Sequence, residues 1–394
     1  MFDLGGCNQL ANISNKLTLA TGANPAYAFG NVDLLFFGDF YQFPPILDPP
    51  LYNAWKQGRK VSNKKGEAQK EAIMNVWKNL THVVLLDEQM RVQDSAYLEL
   101  LNRLREGKCT QSDVEMLNRR VIGHHVDITS ISQNPIIVPG NELGMEINKL
   151  FACRHSQNKQ VFVTKAKDTY DKGKPLTREL ADMIKDLAHT KTNQLPGELP
   201  LYVGMPICIS NNIAVELGLT NGTSGIVKAI HLQNAETISE QDTGFHHVDF
   251  TDNDCIIVEL YDVAVTPLRG LQPNHIPVFP QSGDFQVKLK KKGKVQKISV
   301  KRNHFPIVPR FSVTSHKSQG LTLEKAIVDL VPNPKYKGPV EVCHSYVPLS
   351  RVRRLEDSTI LREFPASVIL KPAENEARTA MMNHFKEIDL CKGM

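Results

Sequence analysis

Apolar runs closed by turn residues alternate with helical patterns through the first half of the chain. Residues 31–38, NVDLLFFG, form one such run, and residues 82–86 form another. Runs of this kind are typical of strands buried on both faces of a parallel sheet. Further strands are predicted at 135–139, 160–164 and 326–330, and helices at 7–20, 67–80, 93–106, 141–153 and 176–189. The alternation predicts an α/β fold with a parallel sheet.

The pattern changes between residues 200 and 305, where short β-rich stretches are separated by turn residues. This texture predicts a small β-barrel inserted in the α/β chain. Its last part, KLKKKGKVQKISVKR, holds eight positive residues from Lys288 to Arg302 and no acidic residue. Either a solvated hairpin around Gly293 or a phosphate-contacting surface fits that pattern, and the sequence leaves both open. Residues 372–394 predict a charged helical tail without chemistry of its own.

Composition narrows the class of protein without naming a function. At 394 residues, 41% of them hydrophobic and 23% charged, the chain is long enough for two or three globular domains. The formal net charge of +5 gives no global basic field, so a nucleic-acid partner has to be argued locally. Seven scattered cysteines without a CxxC pair predict reduced thiols in an intracellular compartment, with no disulfide and no metal site. We see no targeting signal and no apolar run of membrane-spanning length, and we expect no membrane partner.

Three polar segments carry candidate chemistry. GDFYQFPP, residues 38–45, places Asp39 and Gln42 in a loop after a predicted strand, where open α/β sheets bind ligands. HKSQGLTL, residues 316–323, gathers several hydrogen-bond donors for a backbone phosphate. YVPLSRVR, residues 346–353, sets two arginines two positions apart, so they would point the same way in an extended segment and diverge on a helix. One of them could stabilise charge on a transferred phosphoryl group.

Five short motifs follow one another in a distinctive order. They are GDFYQFPP, EQMR (88–91), LTNGTSG (219–225), SHKSQGLTL and YVPLSRVR. In this order and rough spacing the chain resembles the Pif-type DNA helicases, superfamily-one motors that move 5′ to 3′ on single strands. The resemblance extends from residue 1 to about residue 364. The stretch LTLATGANPAYAFGNVDLLFFGDFYQFPPI is similar to helicases of fungal Helitron-like transposons.

The resemblance implies RecA-like P-loop NTPase folds, the first truncated at its N-terminus, with an inserted Src-homology-like β-barrel. The implied domains are the remainder of the first motor domain (1–90), the first part of the second motor domain (91–199), the barrel (200–305), the last part of the second motor domain (306–370) and a C-terminal tail (371–394).

The resemblance also implies roles for individual residues, with ATP and Mg²⁺ as cofactors and single-stranded DNA as partner. Gln42 would read the γ-phosphate, Asp39 would support its loop, and Arg91 and Arg351 would act as arginine fingers. Gly320 would join Asp39, Gln42 and Arg351 around the nucleotide. The implied DNA-contacting residues are Thr314, His316, Lys317 and Gln319. The chain departs from the family pattern at Phe43, Ser315 and Pro348, and Pro348 removes a backbone donor beside the implied finger.

Two parts of such a motor have no counterpart in the sequence. No segment fits GxxxxGK[ST], the loop whose backbone amides and lysine hold the nucleotide phosphates. Asp87-Glu88 follows an apolar run as a magnesium-binding acidic pair would, but it comes after GDFYQFPP and leads directly into Arg91. The order therefore argues against that role. We expect a fragment that does not hydrolyse ATP alone, in which residues 31–38 become an exposed strand edge, unless another chain supplies the missing segment.

The leading hypothesis is thus a Pif-type ATP-dependent DNA helicase of the repair, recombination and telomere-maintenance class, present here as a fragment. A non-catalytic single-stranded-DNA-binding remnant of a transposon helicase is the alternative, and a decayed copy without a folded product is a third. We expect the protein to work in the nucleus rather than in the mitochondrion.

Overall fold

The computed structural model of the protein describes two compact units. Unit 1 comprises Met1–Ser132 and Ser318–Met394, and unit 2 comprises Gln133–Lys317. The described residues are 6–56, 67–80, 82–86, 88–123, 134–156, 158–171, 173–184, 187, 189–235, 238–239, 243–261, 265–291, 294–334, 336 and 338–389. Asp87, Gly293 and Cys391, which the sequence interpretation uses, lie outside them.

Helices and strands alternate along the described chain. The helices are α1 (Cys7–Thr21), α2 (Glu67–Lys78), α3 (Ser95–Arg105), α4 (Gln111–Asn118), α5 (Asn141–His155), α6 (Arg178–Ile184), α7 (Ser315–Ser318), α8 (Cys343–Leu349), α9 (Ser367–Leu370) and α10 (Glu376–Glu387). The strands are β1 (Ile136–Val138), β2 (Gln160–Lys165), β3 (Lys167–Tyr170), β4 (Lys174–Pro175), β5 (Glu198–Leu201), β6 (Pro206–Ile209), β7 (Ser224–His231), β8 (Gly244–His247), β9 (Cys255–Leu260), β10 (His275–Val278), β11 (Gln281–Lys291), β12 (Lys294–His304), β13 (Ile307–Pro309), β14 (Ser312–Thr314), β15 (Ala326–Val328) and β16 (Ser358–Ile360).

The N-terminal and C-terminal helices of unit 1 share one apolar core. α1 begins at Cys7 because Asp48 accepts hydrogen bonds from the backbone N–H groups of Asn8 (2.9 Å) and Gln9 (3.0 Å). The indole of Trp77 in α2 is buried and donates to the sulfur of Met381 in α10 at 3.4 Å. Apolar residues of α1, α2, α10 and the 3-10 helix Leu51–Trp55 complete this core. The C-terminal tail is therefore part of the folded unit.

The second half of unit 1 joins α3 and α4 to the parallel pair β15 and β16. α3 is capped by Asp94, which accepts from Ala96 N (3.0 Å) and Tyr97 N (3.2 Å). The buried hydroxyl of Tyr97 donates to Leu349 O at 2.6 Å, which ties α3 to the end of α8. These contacts position the segment that follows α8.

Unit 2 combines an α/β part with a larger β part. The strands β1 and β14 pair in parallel, and α5 packs on them through Gly144, whose carbonyl accepts from the Ser312 hydroxyl at 2.8 Å. A five-stranded antiparallel sheet has the order β10-β9-β7-β6-β13, and three strands form the order β5-β2-β8. Residues of both sheets bury one apolar cluster. The protein is therefore α/β with an inserted β-rich region.

A long antiparallel hairpin, β11 and β12, extends a separate sheet of unit 2 in the order β11-β12-β3-β4. Phe285, Val287 and Val300 on its inner face are buried against Leu180 and Ile184 of α6. The lysine-rich stretch forms part of this hairpin, with Lys291 paired to Lys294 at the last described step of the register.

Two of the predicted strands are wrong. Residues 32–39 form neither helix nor strand, and Leu35 and Phe37 are 87% and 69% exposed. Only an isolated bridge, Val83 to Asp389, is found in 82–86. The physical reason is that a strand requires a hydrogen-bonded neighbour, and the described residues supply none beside 32–39 and only Asp389 beside 82–86. Both segments are apolar, but no strand of the described residues pairs with either of them.

Candidate functional site

The 38–45 loop is organised by the carboxylate of Asp39. Its Oδ1 accepts from Tyr41 N at 3.0 Å, and its Oδ2 accepts from Gln42 Nε2 at 3.4 Å. Arg105, at the end of α3, donates to Oδ1 at 3.0 Å and forms an ion pair with it. The side chain of Asp39 thus closes the turn and orients the amide of Gln42.

Two guanidinium groups face the ring of Tyr41 in the same loop. Arg105 lies 4.8 Å and Arg378 lies 5.3 Å from the ring centroid. Arg378 comes from α10, is 5% exposed and donates to Glu341 Oε2 at 2.8 Å. Each arginine is therefore fixed by its own carboxylate while it contacts the ring. Sequence reasoning missed both arginines, because nothing in their local sequence signals contact with a distant loop.

Phe43 connects the 38–45 loop to the residues after α7. Its backbone N–H donates to Gln319 Oε1 at 3.1 Å, and its buried ring meets His344 edge to face at 5.3 Å. Gln319 was expected to contact DNA, and the structure places its side chain on the loop that carries Gln42. Gly320, the next residue, has a φ of +81°, a conformation that favours glycine.

Arg351 is buried, at 1% exposure, in the turn that follows α8. Its guanidinium donates to Val347 O (2.8 Å), to the Ser350 hydroxyl (2.6 Å) and, at 3.4 Å each, to the carbonyls of Ser318 and Leu321. All of these acceptors are neutral. Burial and the positive charge of Arg91 together lower the pKa of Arg351 to about 10.

Arg91 contacts Ser350, the residue that precedes Arg351 in the chain. Its Nη1 donates to Ser350 O at 3.0 Å, and its Nε donates to the Thr322 hydroxyl at 3.1 Å. Among the described residues, neither arginine forms an ion pair with a carboxylate. Two adjacent positive charges held by neutral acceptors make a receptive environment for an anion.

Arg351 and Arg353 lie in the turn after α8, in neither the extended segment nor the helix that the sequence left open. The helix ends at Leu349, and the following turn buries Arg351 while Arg353 is exposed. Pro348 does not break this arrangement, because its carbonyl still accepts from Arg351 N at 3.3 Å. The two arginines therefore diverge, and only Arg351 enters the site.

Three of the residues expected to contact DNA belong to unit 2. Thr314 ends β14, and its hydroxyl accepts from Lys317 N at 3.4 Å, while His316 and Lys317 are exposed on α7. Burial, followed by the charge of Lys317, lowers the pKa of His189 to about 4. His189 is thus a neutral neighbour of Lys317 that the sequence did not reveal. Gln42, Arg91, Gln319, Gly320 and Arg351 belong to unit 1.

The searches for metal and membrane features concern only the described residues. They contain no group of three histidine, cysteine or acidic side chains arranged to hold a metal ion. Within the same residues, no helix is both long and apolar enough to cross a bilayer. The six cysteines of the same described residues form no disulfide, and Cys7 and Cys343 are buried.

Comparison with known proteins finds relatives among the ATP-dependent DNA helicases. No family model matches the chain. The ATP-dependent DNA helicase PIF1 of Mus musculus is 24% identical over 347 residues, which are 86% of this chain and 41% of that protein. The chain thus spans about two-fifths of the length of this relative.

Solved structures show the same relationship at the level of the fold. The Pif1 helicase from Candida albicans has a TM-score of 0.57 and 18% identity, and the match covers 96% of this chain and 74% of that one. Pif1 helicase from Bacteroides, in complex with ADP-AlF3 and ssDNA, has a TM-score of 0.60 and 18% identity, with 96% and 72% covered. The chain is therefore similar in sequence and in fold to Pif-type DNA helicases.

Proposed function

We propose that the residues of the candidate functional site form the arginine-finger and DNA-contacting part of a Pif-type ATP-dependent DNA helicase. The observation that carries the proposal is the pair Arg91 and Arg351, which lie together without a carboxylate partner in the described structure. A buried guanidinium that bonds only neutral acceptors keeps its charge available for a phosphate. In phosphoryl transfer such arginines stabilise the charge on the transferred group.

Gln42 and Asp39 supply the second half of this proposal. The Asp39 carboxylate holds the Gln42 amide in the loop, and Gln319 holds the next backbone N–H. The loop is therefore linked through Gln319 to the segment that begins with the DNA-contact candidates.

The residues of the candidate functional site would supply only part of a binding site for ATP and Mg²⁺. The sequence has no GxxxxGK[ST] segment, so the loop that cradles the phosphates has to be supplied in addition to the 394 residues. Mg²⁺ would neutralise the β- and γ-phosphates when bound. We expect the 394 residues alone to bind nucleotide weakly and to show no turnover.

A single-stranded-DNA-binding protein without catalysis is the second candidate. It is favoured by the exposed His316 and Lys317, which lie on α7 at the end of the parallel strand β14. Such a protein would bind single strands through phosphate contacts alone, with affinity that falls as salt rises. Nucleotide would leave that affinity unchanged.

The test compares Arg91→Gln with Arg353→Gln, because Arg353 is an exposed arginine of the same motif region. Binding of fluorescent mant-ATP with Mg²⁺ is measured in the presence of oligo-dT. We expect Arg91→Gln to weaken binding about 10- to 100-fold, the value of a charge-assisted hydrogen bond, and Arg353→Gln to leave it unchanged. Equal effects of the two variants would refute the finger assignment. Binding to oligo-dT that needs Lys317 but ignores nucleotide would favour the second candidate.

A further inference from the structure

Tyr336 differs from the other exposed aromatic residues of the described chain. The tyrosine and phenylalanine side chains that are exposed in the part of the chain that the structure describes are Tyr27, Phe37, Phe245, Tyr261, Phe279 and Tyr336. Among them, only Tyr336 has a described contact with another aromatic ring, that of His344. An exposed ring that is held in one orientation suits a planar ligand, because little side-chain freedom is lost on stacking.

The ring of Tyr336 is supported by two neighbours. Its centroid lies 5.0 Å from that of His344, with the ring planes inclined by 49°. A Cβ atom placed on Gly338 would lie 2.7 Å from the Tyr336 hydroxyl oxygen, so the ring packs closely against that glycine. The backbone N–H of Tyr336 donates to Asn333 O at 2.9 Å and closes the preceding turn. Tyr336 nonetheless remains 47% exposed, which leaves surface for a ligand.

His344, which supports Tyr336, is itself fixed. Its Nδ1 lies 3.2 Å from Glu341 O, within hydrogen-bond distance. Burial lowers the pKa of its imidazole, so the ring is neutral at physiological pH. His344 also meets the ring of Phe43 edge to face, at 5.3 Å between centroids. Tyr336 therefore rests on a cluster of rings that extends to the 38–45 loop.

This cluster ends beside residues to which the proposed function assigns nucleotide and DNA. The backbone N–H of Phe43 donates to Gln319 Oε1 at 3.1 Å, and Gln42 precedes Phe43 in the chain. Nucleotides and single-stranded nucleic acids both present planar bases, which stack on aromatic side chains. The planar ligand that belongs in this part of unit 1 is therefore a nucleobase.

The electrostatic surroundings of Tyr336 permit the phosphates that accompany a base. The described groups that act electrostatically on its hydroxyl are Cys343 and Glu341. Burial raises the pKa of the Cys343 thiol to about 12, so the thiol stays neutral. The Glu341 carboxylate forms an ion pair with Arg378 at 2.8 Å. Neither group presents a free negative charge to a phosphate.

We propose that Tyr336, supported by His344, is a stacking platform for a nucleobase. The base comes either from single-stranded DNA or from a bound nucleotide, and the chemistry of stacking is the same for both. The inference rests on the proposed function and deepens it, since it adds a base contact to the phosphate contacts proposed for Gln42 and Arg351. The platform is independent of sequence, because every base has a face that stacks on an aromatic ring.

The experiment measures the affinity of the full chain for three fluorescent probes. The probes are oligo-dT, an abasic oligonucleotide of the same length, and mant-ATP with Mg²⁺. Tyr336→Leu removes the ring, and Tyr336→Phe keeps it. Tyr27→Leu is the matched control, because Tyr27 is exposed in the same unit and has no described ring contact. The abasic oligonucleotide has the phosphates without the bases, so it reports whether a variant has lost anything other than stacking.

We expect Tyr336→Leu to weaken the binding of oligo-dT by about 5- to 100-fold, the value of one stacked base. Tyr336→Phe and Tyr27→Leu should bind as the unchanged chain does, and the abasic oligonucleotide should bind all four proteins equally. A loss confined to mant-ATP would support the platform and assign it to the base of the nucleotide. An equal loss with the abasic oligonucleotide would overturn the proposal, and so would unchanged binding of both probes that contain a base.

The unchanged chain separates this proposal from the proposed function. If it binds oligo-dT or mant-ATP and Tyr336→Leu binds them equally well, only the stacking platform is refuted. If the unchanged chain binds neither probe, the proposed function and the platform are refuted together.

Discussion

Replacing Asp168 by asparagine removes the charge that balances a buried arginine in unit 2. The guanidinium of Arg302 is 1% exposed and donates to both carboxylate oxygens of Asp168, at 2.8 and 2.7 Å. Its Nη1 also donates to Leu195 O at 3.3 Å, and the group lies 5.3 Å from the ring centroid of Phe285. The asparagine would keep the shape of the side chain and lose its charge.

The expected cost follows from this burial. Breaking a buried ion pair by removing one partner costs about 3–5 kcal/mol, because the other charge stays buried. The side chain of Asp168 is 11% exposed, so water can reach this end of the pair and the lower value applies. With about 2 kcal/mol per molar urea, a loss of about 3 kcal/mol lowers the unfolding midpoint of unit 2 by about 1.5 M.

The assay has to report on unit 2 alone. Both tryptophans, Trp55 and Trp77, lie in unit 1, so their fluorescence follows the wrong unit. Hydrogen exchange measured by mass spectrometry on peptides of β3 and β12 reports directly on the strands that the ion pair joins. Urea titration of this exchange gives the midpoint for each variant.

Asp171→Asn is the matched control, because Asp171 forms an exposed ion pair with Lys174 in the same unit. Solvent screens an exposed pair, so the control should shift the midpoint far less than Asp168→Asn does. Replacing both partners, as in Asp168→Leu/Arg302→Met, should recover much of the stability. If Asp168→Asn behaves like Asp171→Asn, the buried pair is not the stabilising contact inferred here.

Two further predictions concern single side chains. Burial lowers the pKa of His304 to about 3, whereas an unfolded histidine titrates near 6.5. The free energy of unfolding of unit 2 should therefore be highest above about pH 6.5 and lower by about 2 kcal/mol at about pH 5. His304→Gln should reduce the difference between the urea midpoints measured at these two pH values. Tyr41→Leu should destabilise unit 1 by about 1–2 kcal/mol, since the ring faces two guanidinium groups, while Tyr41→Phe keeps the contact. Tryptophan fluorescence during urea unfolding measures the stability of unit 1. Equal losses for Tyr41→Leu and Tyr41→Phe would contradict this prediction.

The elements that the sequence predicted well are those whose stability is local. The helix at residues 67–80 is found as Glu67–Lys78, and the one at 141–153 as Asn141–His155. An amphipathic pattern and its caps lie within one segment, so the sequence contains what such a helix needs. The strand at 135–139 is found as Ile136–Val138, because its parallel partner β14 is present.

The predictions that failed depend on residues far away in the sequence. The 31–38 run has the composition of a central strand, but composition cannot supply a hydrogen-bonded neighbour. Arg105 reaches Asp39 across 66 residues, and no local pattern marks such a pair. Whether Arg351 and Arg353 diverge depended on where α8 ends, which is set by packing against α3.

The C-terminal helix shows how a segment without a motif can still belong to the site. Residues 372–394 were predicted to be a helical tail without chemistry, and α10 does form at Glu376–Glu387. Its Arg378 contacts Tyr41 of the 38–45 loop and binds Glu341, which lies two residues before α8 begins. The same side chain thus touches the loop of Gln42 and the segment that leads to Arg351. A buried arginine with two such contacts resists independent movement of either one, so α10 helps to hold the 38–45 loop and the segment before α8 in one arrangement.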